Sequence, residues 1–168
     1  IASGSILDVS TKTLRLLGDL QVDTDGDVNA LQARSGTISF EGEGRETCCS
    51  GSTLDSTPND IQEVIGSAEL DFGTLRIQDR DGSSNTSPDT KVEFISGAST
   101  VIVEDLFSID EANLDSARPI DISSDFEVVN SGTFEFTESR LLRFISGSDA
   151  TVSTTDELEL PSVEIDKG

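Results

Sequence analysis

The chain has 168 residues, of which 33 are Asp or Glu and 11 are Lys or Arg, giving a formal net charge of -22. This charge repels phosphate backbones and anionic lipids, and no apolar run is long enough to span a membrane, so neither nucleic acid nor membrane insertion is expected. His, Tyr, Trp and Met are absent, which removes the commonest general base and zinc ligand, and the chain is predicted not to be an enzyme.

Short runs that alternate apolar and polar residues follow one another along the chain, a period typical of β-strands. The clearest runs lie at residues 13–16, 37–40, 75–77, 92–94, 101–103, 126–128, 134–136, 158–160 and 163–165. A helical turn is compatible only with residues 57–64, where Pro58 and Asp60 resemble a helix start. The pattern therefore predicts an all-β chain that forms a single elongated module over residues 1–168.

Alternating carboxylates lie on a glycine-containing turn at Asp23, Asp25 and Asp27. Oxygen ligands spaced in this way can converge on a hard cation, so these residues are a candidate calcium site, and calcium is the only cofactor considered. The segment fails as a full EF-hand loop because Arg34 takes the twelfth position, where a bidentate Glu is needed. The alternative interpretation is a polar turn that favours Asp and Gly for their turn conformations.

The two cysteines, Cys48 and Cys49, are adjacent. This spacing matches no standard metal-binding or redox motif. Two interpretations stay open, a pair of thiols on a turn and a vicinal or interchain disulfide.

Several short motifs recur along the sequence. Gly-Thr followed by apolar-x-apolar begins at Gly36, Gly73 and Gly132, and Phe-Ile-Ser-Gly begins at Phe94 and Phe144. A unit this short cannot bury its apolar face alone, so stacked coils that share one continuous core are favoured. The expected fold is therefore all-β, a right-handed β-solenoid of parallel β-helix-like repeats, with a β-sandwich as the alternative.

The order of motifs over residues 5–78 is similar to that of a known protein family. A Gly-Thr strand at Gly36 leads through a glycine turn to an Ile-Gly strand end at Gly66, and then to a Phe-Gly-Thr-Leu strand at Phe72. This order resembles the β-solenoid repeat regions of large secreted cell-surface adhesins and fibre proteins of Bacteroidota and relatives. The resemblance implies export to the cell surface, often by a type IX system, and a role in adhesion, gliding or fibre formation. The chain departs from the family pattern at residues 45–49, where those repeats usually have Gln-Thr-Ile.

The expected function is that of a structural or adhesive module of an extracellular surface fibre. Its expected partners are copies of itself or adjacent modules, joined head to tail, with surface glycans as a further candidate. Open strand edges at the ends of a solenoid must be covered, so residues 1–9 and 162–166 are expected near the junction.

The alternative function is a carbohydrate-binding or polysaccharide-degrading β-helix. Such an enzyme would use paired carboxylates, for which Glu41 with Glu43 and Asp121 with Asp125 are candidates. It would also need a groove lined by aromatic side chains. The eight Phe lie mostly at positions of core phase, which argues against such a groove.

Overall fold

A computed structural model describes residues 1, 5–22, 31–41, 60–66, 69–79, 90–95, 99–130, 132–136, 140–145, 149–160 and 162–166. Within these ranges the regular secondary structure consists of β-strands, without a helix. The strands are β1 (Leu7–Asp8), β2 (Thr13–Leu16), β3 (Leu20–Gln21), β4 (Leu31–Phe40), β5 (Asp60–Ile65), β6 (Leu70–Gln78), β7 (Thr90–Phe94), β8 (Val101–Asp110), β9 (Ala112–Ser116), β10 (Ile120–Ile122), β11 (Asp125–Val129), β12 (Thr133–Phe136), β13 (Leu142–Phe144), β14 (Val152–Thr154) and β15 (Val163–Ile165).

All strand pairs among the described residues are parallel. They form a 10-stranded sheet and a 5-stranded sheet, in which neighbouring strands come from successive passes of the chain. A β-sandwich is built from antiparallel sheets, so this alternative is wrong. The fold is an all-β parallel β-solenoid, and the right-handed sense of its coil stays a prediction.

Strands from successive coils stack in three columns. Column one contains β1, the first halves of β4, β6 and β8, and then β10, β13 and β15. Column two contains β2, the second halves of the same three long strands, and then β11 and β14. Column three is the smaller sheet, in the order β3, β5, β7, β9, β12. The register shifts between Ala33 and Thr37 and between Phe72 and Thr74 mark the bend from column one to column two.

Side chains of the same type stack on one another inside the coil. In column two, Ile38, Leu75, Phe107 and Phe126 follow one another in register, and all four are fully buried. The rings of Phe107 and Phe126 are stacked with their centroids 5.1 Å apart. The core is therefore a set of continuous apolar ladders. Full burial of each such side chain contributes about 1.5–3 kcal/mol to stability.

The Gly-Thr motifs do not all occupy equivalent positions. The motifs at Gly36 and Gly73 stack in column two, where Thr37 is the register partner of Thr74. The motif at Gly132 instead opens β12, which belongs to column three. Gly-Thr therefore marks the start of a strand after a bend, in either sheet, and not one fixed point of the coil.

The helical turn expected within residues 57–64 is wrong for its described part, because β5 begins at Asp60. In this strand one apolar residue faces outward and one polar residue faces inward, so the sequence does not show the usual alternation of a strand. Ile61 faces outward and is 45% exposed, whereas Gln62 is buried. The inward amide is satisfied because Gln62 Nε2 donates to the carbonyl oxygens of Leu16 and Gly18, both at 3.0 Å.

Gly36 lies where the first two coils approach most closely. A Cβ atom at this residue would lie 2.2 Å from the carbonyl oxygen of Val9 and 3.0 Å from that of Lys12. Hydrogen bonds hold both coils in place on either side, from Val9 N to Gln32 O and from Thr37 N to Lys12 O, each 2.8 Å long. The backbone therefore cannot separate here without breaking the pairing between coils.

Replacement of this glycine tests the close approach of the coils. Gly36→Ala is expected to lower the free energy of unfolding by about 1–3 kcal/mol, because the new methyl group overlaps backbone atoms. Gly18→Ala is the matched control, since no atom lies within 4 Å of a Cβ at that position. Urea unfolding followed by circular dichroism measures both changes, and equal stability of the two variants would contradict the described approach.

Candidate functional site

The larger sheet ends in two open edges, which are the candidate functional surfaces. Its strand order begins with β1 and ends with β15, so within the described part of the chain each of these strands has a neighbour on one side only. An open strand edge presents unpaired N–H and C=O groups and is a template for a further strand.

The edge at β15 exposes side chains that continue the apolar ladders. Val163 is the register partner of Leu142, and Ile165 is the register partner of Phe144. Leu142 and Phe144 are buried, whereas Val163 is 43% exposed and Ile165 is 67% exposed. The two exposed side chains thus have core phase, and among the described strands β15 pairs with β13 alone. Covering the exposed part of each would contribute on the order of 1 kcal/mol.

This end of the stack is stepped, because the columns stop at different coils. Column one ends at β15, which pairs with β13, while column two already ends at β14 in the preceding coil. Val152 of β14 is exposed, although its register partner Phe126 is fully buried. An added coil would therefore contact β14 and β15 together, and the step would fix its position along the coil.

The opposite end of the stack is formed by the first coil. Among the described strands, β1 and β2 pair only with β4, and β3 pairs only with β5. Ile6 and Leu17 are exposed here, and the ammonium group of Ile1 donates to the carbonyl oxygen of Gln21 at 2.5 Å. The described parts of the two segments expected at a junction therefore lie at opposite ends of the solenoid, as head-to-tail contact requires.

Acidic side chains stack along the outside of column three. Glu63, Glu93, Asp115 and Glu135 are register partners on successive strands. Lys91 lies beside the middle of this row, with Nζ 2.6 Å from Asp115 Oδ2 and 2.8 Å from Glu93 Oε1. Hydrogen bonds to Asp115 and Glu93 raise the pKa of Lys91 above its ordinary value. A single lysine thus offsets the repulsion between carboxylates of adjacent coils.

Two arginines bridge coils in column one in the same way. Arg34 contacts Asp71 of the next coil at 3.6 Å and Glu104 of the coil after it at 2.8 Å. Arg143 donates to both carboxylate oxygens of Asp121, its register partner. Arg34, Lys91 and Arg143 therefore lie between coils and bind carboxylates there.

The residues predicted for calcium and for disulfide chemistry, Asp23, Asp25, Asp27, Cys48 and Cys49, lie outside the described residues. In the part of the chain that the structure describes, no three carboxylate or cysteine side chains converge on a point where a metal ion would bind. The calcium site stays a prediction that rests on the sequence alone.

The carboxylates considered for catalysis have structural partners. Asp121 binds Arg143, and Asp125 Oδ1 accepts a hydrogen bond of 2.9 Å from the backbone N–H of Thr151. Glu41 is buried and contacts Arg15 Nε at 3.2 Å. Glu43 lies outside the described residues. These contacts account for Glu41, Asp121 and Asp125 as parts of the scaffold.

The aromatic side chains offer no broad platform to a sugar ring. Seven of the eight Phe are buried, and Phe136 is half-buried.

The described residues also contain no helix that is long and apolar enough to cross a membrane.

No protein family, curated protein or solved structure matches this chain. The resemblance to surface proteins of Bacteroidota therefore stays a prediction carried by the motifs of residues 5–78. A functional conclusion has to come from the open ends, the acidic exterior and the stacked core.

Removal of the lysine in column three tests the electrostatic arrangement. Lys91→Met is expected to lower the free energy of unfolding by about 1 kcal/mol at pH 7, because Glu93 and Asp115 then repel each other. Folding raises the pKa of Lys91. Its contribution is therefore present below the unfolded pKa of about 10.4 and is lost as the pH rises through the folded value.

Urea unfolding of the original chain and of Lys91→Met between pH 7 and pH 11 measures this contribution. The difference in stability should be constant up to about pH 10 and should shrink above it. Lys12→Met serves as the control, because Lys12 is exposed and this change should leave stability unaltered. A difference that persists unchanged at pH 11 would contradict the assignment.

Proposed function

We propose that the chain is a structural module of an extracellular surface fibre that assembles head to tail. The observation that supports this function best is the uncovered apolar ladder on β15, where Val163 and Ile165 continue the buried column of Leu142 and Phe144. The partner is a copy of the chain or an adjacent module that presents its first coil to this edge.

Assembly would follow the physics that already joins the coils. The first coil of the partner adds strands to β14 and β15, so that their open backbone groups become paired. Its side chains cover Val152, Val163 and Ile165 and extend the core without a break. Because each junction creates a new open end, the process repeats along one axis and yields a filament.

The acidic sides of the solenoid disfavour lateral association between filaments. The excess of carboxylates gives neighbouring filaments the same sign of charge, which opposes lateral association and keeps a long assembly in solution. Salt screens this repulsion over a Debye length of about 8 Å at physiological ionic strength, so lateral bundling should increase with salt. The adhesive role and the location at the cell surface rest on the resemblance alone, as does binding to surface glycans.

A pair of matched lysine substitutions tests head-to-tail assembly. Ile165→Lys places a charge in the proposed junction and should abolish filaments. Ile61→Lys is the control, because Ile61 is 45% exposed on β5, which has a paired strand on each side. This control should assemble like the original chain. Analytical ultracentrifugation and negative-stain electron microscopy of the three proteins measure the difference.

The outcome distinguishes a specific junction from nonspecific association. Loss of assembly in Ile165→Lys alone supports contact through the β15 end. The proposal would be overturned if the chain stays monomeric at high protein concentration in salt that screens its negative charge. It would also be overturned if Ile61→Lys disrupts assembly as much as Ile165→Lys does.

A further inference from the structure

A groove lies in column three, at β12, the end strand of the smaller sheet. It has a volume of about 450 Å³ and lies between β12 and residues 157–160 of the following coil. Pockets of about 300–1,000 Å³ are typical of ligand sites in proteins. The groove lies at the same end of the stack as β14 and β15 but is lined by other residues.

The groove exists because the smaller sheet stops one coil early. Columns one and two continue beyond β12 with β13, β14 and β15, but the smaller sheet ends at β12. Residues 157–160 pass beside β12 without forming a strand. Alternate N–H and C=O groups of β12 therefore point toward a side on which none of the described strands is paired.

The lining of the groove combines an apolar floor with an acidic rim. Phe136, Leu158 and Leu160 are half-buried and pack against the core. Glu135, Glu157 and Glu159 line the same groove and are exposed. A ligand that fits both features must bring apolar groups to the floor and positive charges to the rim.

Column three already contains an example of how a cation binds such a strand. Lys91 of β7 reaches Asp115 on the neighbouring strand β9 while it also contacts Glu93 of its own strand. Glu135 is the register partner of Asp115 on β12 and continues the same acidic row. A lysine or arginine on a strand added beside β12 would take the same position toward Glu135 that Lys91 takes toward Asp115.

We propose that this groove binds an extended peptide in which lysine or arginine alternates with apolar residues. The peptide adds to the smaller sheet at β12, its apolar side chains contact Phe136, Leu158 and Leu160, and its cations contact the acidic rim.

The experiment uses the full chain and a fluorescein-labelled eight-residue peptide that alternates lysine and valine. Fluorescence anisotropy is expected to show saturable binding. The triple variant E135Q/E157Q/E159Q should weaken binding by tenfold or more. The control variant E69Q/D105N/D149N removes the same number of exposed charges from outside the groove and should change binding by less than threefold.

Two further probes separate strand addition from simple charge attraction. A lysine-valine peptide that is N-methylated at alternate residues lacks the N–H donors along the edge that would pair with β12, and it should bind at least tenfold more weakly. The variant Ile165→Lys, which blocks the proposed junction, should bind the original peptide unchanged.

Three results would overturn the proposal. The first is equal binding of the original and N-methylated peptides. The second is equal loss of affinity in the groove variant and the control variant. The third is self-association of the chain that the groove variant abolishes, because the occupant would then be a second copy.

Discussion

Hydrogen bonds between parallel strands of successive coils are the interaction on which the rest of the structure depends. Parallel strands stack about 4.8 Å apart, so register partners are forced into contact whatever their side chains are. Inside the coil, that contact is favourable when both partners are apolar, as for Phe107 and Phe126. Outside, it sets carboxylates against each other, as for Glu93 and Asp115, and a cation such as Lys91 is then needed between them.

The same pairing explains which strand edges of the molecule are open to a further strand. A stacked strand satisfies its backbone only when it has a neighbour on both sides. Among the described strands this condition fails at the ends of both sheets, which include β15 and β12. Both places combine open backbone groups with apolar side chains. They differ in their surroundings, because β15 exposes Val163 and Ile165 whereas the groove beside β12 carries an acidic rim. The two edges therefore suit different partners.

The alternation of apolar and polar residues predicted the described strands of four or more residues except β5 and β9, but of the shorter strands it predicted only β15. The recurring motifs predicted that the strands stack. The pattern failed where inward side chains are polar. Gln62 and Ser116 both point into the core, where Gln62 binds backbone carbonyls and Ser116 Oγ donates to the carbonyl oxygen of Arg118 at 2.8 Å. Strands β5 and β9 were therefore missed or misassigned. Residues 158–160 failed in the opposite way, because they alternate as a strand should but have no strand paired to them. Exposure at the stack ends could not be predicted either, since Val163 has the same sequence pattern as a buried strand residue.

The most direct test of the account is a disulfide between register partners. Asn113 and Thr133 face outward on adjacent strands, and Thr133 Oγ1 donates to Asn113 Oδ1. In a chain whose own cysteines are replaced by serine, N113C/T133C should form a disulfide on mild oxidation, because partners about 4.8 Å apart lie within the range for this bond. The control K91C/T133C joins residues two strands apart, about 9.6 Å, and should stay reduced. Failure of the first pair, or equal oxidation of both pairs, would contradict the parallel stacked coil.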